Sequence, residues 1–133
     1  MTQFTAITEG VRVTVQAFYL EDRSEPDEGQ WVWAYQVEIE NLSSRTLQLR
    51  RRSWLITDGR GRTLKVDGEG VVGEQPVLPP GARFEYTSGT PLQTPSGFMR
   101  GSYQMRDVET GAAFDAEVPP FSLDSPSGDS RLH

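Results

Sequence analysis

The stretch "QWVWAYQVEIEN", residues 30–41, decides the fold. Trp31, Trp33, Tyr35, Val37 and Ile39 fall on one parity, and Gln36, Glu38 and Glu40 fall on the other. An apolar residue at every second position has the period of a strand, and the polar alternates give that strand one solvated face. The pattern recurs upstream in "VRVTVQAFYL" (11–20), where Val11, Val13, Val15, Ala17 and Tyr19 share a face. Between the two lies "EDRSEPDEG" (21–29), acidic and broken by Pro and Gly, which predicts an exposed loop.

Downstream, "RTLQLRRRSWLIT" (45–57) changes phase: Leu47 and Leu49 are on one parity, Trp54 and Ile56 on the other. A β-bulge between Arg50 and Ser53 reconciles them. "DGRG" (58–61) predicts a hairpin turn into a short strand, "RTLKV" (62–66). Pro79, Pro80 and Gly81 turn the chain into a strand carrying Phe84 and Tyr86. "TPLQTPSG" (90–97) predicts a long loop, followed by a strand with Met99, Tyr103 and Met105 in phase and a last one with Phe114, Ala116 and Val118. The polar segment 127–133 predicts a disordered tail. The expectation is one all-β domain over residues 1–126, a seven-stranded antiparallel β-sandwich of immunoglobulin or fibronectin type III kind, with a barrel as the alternative.

Composition narrows the chemistry. A chain of 133 residues suits a single domain, and a net charge of −6 argues against a nucleic-acid binder. With no cysteine, disulfides, thiolate metal sites and cysteine nucleophiles are excluded. The single histidine is His133, so no serine–histidine–acid arrangement and no tight transition-metal site can be built. No window reaches the roughly 18 apolar residues of a membrane span, and no signal peptide is read, so the expected location is cytoplasmic. No catalytic residues, metal ligands or cofactor are predicted. The stripe Trp31, Trp33, Tyr35 reads as core, and "RRRSW" (50–54) as a solvated strand face or a protein contact.

One motif resembles a ligand site. "KVDGEGVVGEQP" (65–76) contains Gly68, Gly70 and Gly73 at the spacing of a dinucleotide-binding turn. That turn needs a helix behind it, and Pro76, Pro79 and Pro80 deny one. A helix-free nest of loop N–H groups is the surviving version, with Lys65 and Arg52 as its cations and Arg52 roughly opposite Asp67. Asp67, Glu69 and Glu74 would repel a polyphosphate, and glycines in β-loops commonly serve positive φ. A structural loop is therefore the other reading.

The order "VRVTVQAFYLEDRSEP", "YQVEIEN", "LQLRRRSWLITDGRG", "VDGEGVVGEQPVLPPGARFEYTSG", "LQTPSGFMRGSYQM" and "FDAEVPPFSL" resembles the bacterial ApaG family from about Val11 to about Pro126. The resemblance implies a fibronectin type III-like fold. Relatives fused to F-box proteins imply a protein-interaction or adaptor role. A gene neighbour that hydrolyses diadenosine tetraphosphate, and phenotypes of Co²⁺ resistance and Mg²⁺ efflux, are also attached to the family. It implies a proposed pyrophosphate role for Gly68, Gly70 and Gly73, and no catalytic residues.

Two expectations follow. The first is a non-catalytic module that binds an unidentified protein, as a monomer or weak homodimer, with Val71, Val72, Glu74, Gln75 and Pro76 in the contact loop. The second is a binder of ATP or diadenosine polyphosphates through the glycine loop.

Overall fold

The computed structural model describes residues 2–126. The tail expected at 127–133, with His133, lies outside the described residues. Nine strands run in chain order: β1 (Gln3–Thr8), β2 (Val11–Tyr19), β3 (Trp31–Asn41), β4 (Leu47–Asp58), β5 (Thr63–Glu69), β6 (Val77–Leu78), β7 (Arg83–Leu92), β8 (Ser96–Asp107) and β9 (Ala113–Asp124). They form two antiparallel sheets, β1-β2-β3-β7 and β5-β4-β8-β9, with β6 also paired to β4. The sheets pack face to face as a sandwich, with β9 against β1 and β2.

The alternation foreseen in β3 governs the packing. Val37 and Ile39 are fully buried, as are Val11, Val13 and Val15 on β2, paired with β3 in register (Val13↔Ile39, Val15↔Val37). Each such side chain contributes about 1.5–3 kcal/mol relative to exposure. The second sheet supplies Leu47, Leu49, Met99, Tyr103, Met105 and Leu123, all fully buried. At the centre Trp54 meets both Tyr103 and Phe121 edge-on, with ring centroids 6.1 Å apart in each pair. Such T-shaped pairs set the positive edge of one ring against the negative face of another.

The strand count exceeds the expected seven. β1 carries Phe4, Ala6 and Thr8 on its inner face, too sparse an apolar pattern to read, and it is held by the pairings Phe4↔Val15, Ala6↔Val13 and Thr8↔Val11. β6 is two residues long and exists by pairing with Leu47 and Gln48. The loop expected over 90–97 shrinks to 93–95, because β7 continues to Leu92 and β8 starts at Ser96. Pro91 is tolerated within β7 because that strand lies at a sheet edge, where an N–H can be missing without breaking a ladder. Gly97 is a packing glycine: a Cβ there would stand 2.5 Å from the Thr57 carbonyl oxygen. The foreseen bulge is present, the register shifting between Leu49 and Arg51. A second shift, between Met99 and Gly101, arises opposite Pro119 and Pro120 of β9, where the buried parity passes from Ala116 and Val118 to Phe121 and Leu123 while β8 keeps its own alternation throughout.

Buried polar groups close one end. Asn41 is fully buried and its side chain is saturated. Its Nδ2 donates to the carbonyls of Arg45 (2.6 Å) and Leu78 (2.8 Å), and its Oδ1 accepts from the Ser43 N–H (3.0 Å) and Oγ (2.6 Å).

Candidate functional site

The bulge in β4 decides where the arginines point. Beyond it, Arg52 shares the inward parity of Trp54 and Ile56. Arg52 pairs with Gly68, one residue away from the expected Asp67, which pairs with Ser53 and accepts its Oγ–H at 2.6 Å. The Arg52 guanidinium lies over Gly68, so that a Cβ there would come within 2.8 Å of Nη1. Nη1 donates to the carbonyls of Glu69 (3.1 Å) and Gly70 (3.0 Å). Lys65 sits on the opposite face of β5, opposite Leu55, and forms an ion pair with Asp67 at 3.7 Å. The two cations expected to flank a phosphate are thus separated by the sheet itself.

The glycine loop is a miniature hairpin. The N–H of Val71 donates to the Glu74 carbonyl and the N–H of Glu74 to the Val71 carbonyl, each at 2.8 Å. Val72 (φ 42°) and Gly73 (φ 81°) form the two-residue tip, both left-handed as a type I′ turn requires. Gly70 (φ 63°) donates to the Arg50 carbonyl at 2.8 Å, and a Cβ on it would stand 2.2 Å from the Glu74 carbonyl oxygen. Each glycine has a structural cause: Gly68 admits a guanidinium, Gly70 a crossing backbone, and Gly73 a positive φ. Three N–H groups that a nest would aim at a ligand, those of Gly70, Val71 and Glu74, are engaged by carbonyls within the fold.

Among the expected contact residues, Val71 is fully buried and belongs to the core, so it cannot touch a partner. Val72 is 56 % exposed at the tip. Glu74 and Gln75 are exposed and Pro76 is half-buried. Gln75 ties the loop to β4, its Nε2 donating to the Arg50 carbonyl (2.9 Å) while its own carbonyl accepts from Gln48 Nε2 (3.1 Å).

A different surface is more open. Leu64 pairs with the buried Ile56 and therefore faces inward, yet it is 61 % exposed. Over it opens a groove of about 540 Å³ between β5 and the end of β7, lined by Ile56, Leu64, Pro91 and Leu92 and rimmed by Glu28, Gln30 and Arg62. Among the described residues β5 is also an edge strand, with one side of its backbone facing no other strand. The sequence had placed a strand at "RTLKV", but no local pattern reports that the opposing sheet stops short of it. Beside the groove, the acidic loop folds into two 3₁₀ turns, Glu21–Arg23 and Pro26–Glu28. Ser24 pins them: its Oγ donates to the Leu20 carbonyl (2.8 Å) and accepts the Val32 N–H (2.9 Å).

Several ionisable groups elsewhere have structural partners. Burial raises the phenols of Tyr35, Tyr86 and Tyr103, with Arg52 pulling weakly the other way, and the Tyr86 and Tyr103 hydroxyls are hydrogen-bonded to each other. On the outer face of the first sheet, Glu38 and Glu85 stand directly opposite each other. Their mutual hydrogen bond raises Glu85 and lowers Glu38, which Arg83 also holds at 3.2 Å. Among the described residues no three His, Cys, Asp or Glu side chains converge as a metal site would require, and no helix is long and apolar enough to cross a membrane.

Comparison with known proteins agrees with this architecture. Residues 21–107 match the model of the ApaG domain. The chain is 57 % identical over 130 residues to Protein ApaG of Paramagnetospirillum magneticum, covering 98 % of this chain and 99 % of the relative. It is 58 % identical over 124 residues to Protein ApaG of Maricaulis maris, covering 93 % and 95 %. It is also similar to the crystal structure of an ApaA protein from Bordetella pertussis, with a TM-score of 0.84 at 46 % identity over 87 % of this chain and 94 % of the other. These relatives carry names without an enzymatic activity. By sequence along nearly its whole length, and by the sandwich that sequence builds, the chain belongs to the ApaG family.

Proposed function

We propose that this domain is a non-catalytic binding module that engages another protein at the edge of β5. One observation carries this reading: an inward-facing leucine, Leu64, stands uncovered beside a free strand edge. A partner segment adding to that edge would satisfy main-chain groups and cover the leucine in one step. No proline interrupts this edge. β9 interrupts its own with Pro119 and Pro120, whereas Thr63–Glu69 contains no proline. Links to Co²⁺ resistance or Mg²⁺ efflux would then run through the partner.

The test is site-specific photocrosslinking in cells, with a benzophenone side chain in place of Leu64 and, as a control, in place of Ile7, which is equally exposed on β1. A discrete adduct from position 64 and none from position 7 is the expected result. Adducts from neither, or the same adducts from both, would sink the reading. The nucleotide alternative has its own assay: backbone amide NMR during addition of ATP or diadenosine tetraphosphate with Mg²⁺. The engaged N–H groups of Gly70, Val71 and Glu74 lead to the expectation of no saturable shifts in residues 50–52 and 65–75.

A further inference from the structure

Resting on that reading, we infer the chemistry of the segment that binds: an extended peptide placing an apolar side chain on Leu64, with a lysine or arginine next to it that meets the acidic loop. The floor sets the first requirement. Ile56, Leu64 and Leu92 offer an apolar surface, and strand geometry presents alternate side chains of an added strand to it. The rim sets the second. Glu21, Asp22, Glu25, Asp27 and Glu28 are all exposed, on the 3₁₀ turns or between them, and none forms an ion pair among the described residues. The two nearby turn residues that could offset them differ. Arg62 is held by Asp58 at 2.9 Å, and Arg60 of the "DGRG" turn forms no ion pair among the described residues. Five unpaired carboxylates against Arg23 and Arg60 give this end a negative field, which favours a basic partner and repels an acidic one. Glu28 lines the groove itself, so a basic side chain next to the seated apolar residue meets it directly.

The test is selection of phage-displayed random peptides on the whole domain, followed by amide NMR with the selected peptide. The expected consensus alternates apolar residues with lysine or arginine, and its shifts fall on 28–30, 63–69 and 92–93. Leu64→Asp should abolish binding, and Glu28→Lys should weaken it at least about tenfold, each variant keeping the native amide spectrum because both positions are exposed. Three results would overturn the inference. One is an acidic or purely apolar consensus. Another is a footprint away from the groove. The third is concentration-dependent dimerisation that Leu64→Asp removes, which would make a second copy of this chain the occupant. If the selection gives an acidic consensus while the crosslink from position 64 persists, the protein-binding reading survives and only the charge assignment falls. If neither appears, both fall.

Discussion

The two lateral seams of this sandwich are built differently. Where β1 meets β9, Phe4 packs on Phe121 with centroids 6.4 Å apart, and the Glu117 N–H donates to the Thr8 hydroxyl at 3.1 Å across the sheets. The inward residues there are covered. Where β5 faces β7, no aromatic pair spans the gap and Leu64 is left 61 % exposed. The same rule of alternate apolar residues formed both seams. What differs is reach: β1 is an added strand that lengthens the first sheet on one side, and among the described residues no strand lengthens it beyond β7. A fold can therefore leave an inward apolar face open beside a strand edge simply by giving its two sheets unequal edges.

Truncation should separate the seams most strongly. Phe121 is 2 % exposed and touches Phe4, Tyr35 and Trp54. Phe121→Ala should cost about 3–5 kcal/mol, the usual loss for a buried aromatic. Leu64→Ala should fall within ~0.5 kcal/mol of wild type, as exposed positions do. Urea unfolding of the two variants measures this. Comparable losses would mean that Leu64 is covered in solution and that the open seam does not exist.

Between the seams sits the glycine loop, and its three glycines can be ranked. Gly70→Ala combines a left-handed φ with a Cβ 2.2 Å from the Glu74 carbonyl oxygen, a backbone atom that cannot swing aside. Gly73→Ala has the unfavourable φ but open space around the Cβ. The second should cost about 1 kcal/mol, the penalty for a non-glycine residue in that region, and the first several times as much. Thermal melts of both decide it. Equal losses would leave the close contact at Gly70 without energetic weight.

Much of this was legible in the sequence, and the boundary has a physical cause. Alternation in "QWVWAYQVEIEN" and the phase slip after Leu49 are local signals, and both the strands and the bulge followed from them. The direction of Arg52 depended on the exact residue of the slip, and its partner on the exact register of the turn after Thr57, where one residue separates Asp67 from Gly68. Val71 looked like an exposed loop valine because its burial arises from the hairpin Val71–Glu74 folding back onto the core. Leu64 is the inverse case, an apolar strand residue whose cover would have to come from a strand distant in the sequence. Local patterns report which side chains seek burial, and only the assembled sheets report which of them obtain it.

The smallest effect tests how firmly β7, the upper lip of the open seam, is held to β3. Glu38 and Glu85 oppose each other across that pair. Glu85 titrates above its ordinary range because its protonated form bonds to Glu38, so its favourable contribution is present at low pH and is lost as pH rises through the raised value. Glu38 titrates below its ordinary range, through that same bond and through Arg83, so its contribution is present at neutral pH and is lost as pH falls through the lowered value. Above the raised value of Glu85 both carboxyls are ionised and repel. Glu85→Gln supplies an amide donor to Glu38 at every pH, so it should raise the melting temperature slightly near pH 7. The gain should shrink as pH falls through the raised value of Glu85, below which a protonated Glu85 already donates the same bond. Melting curves of wild type and variant across that range are the measurement. A gain that stays constant with pH would show that the carboxyl pair carries no charge coupling.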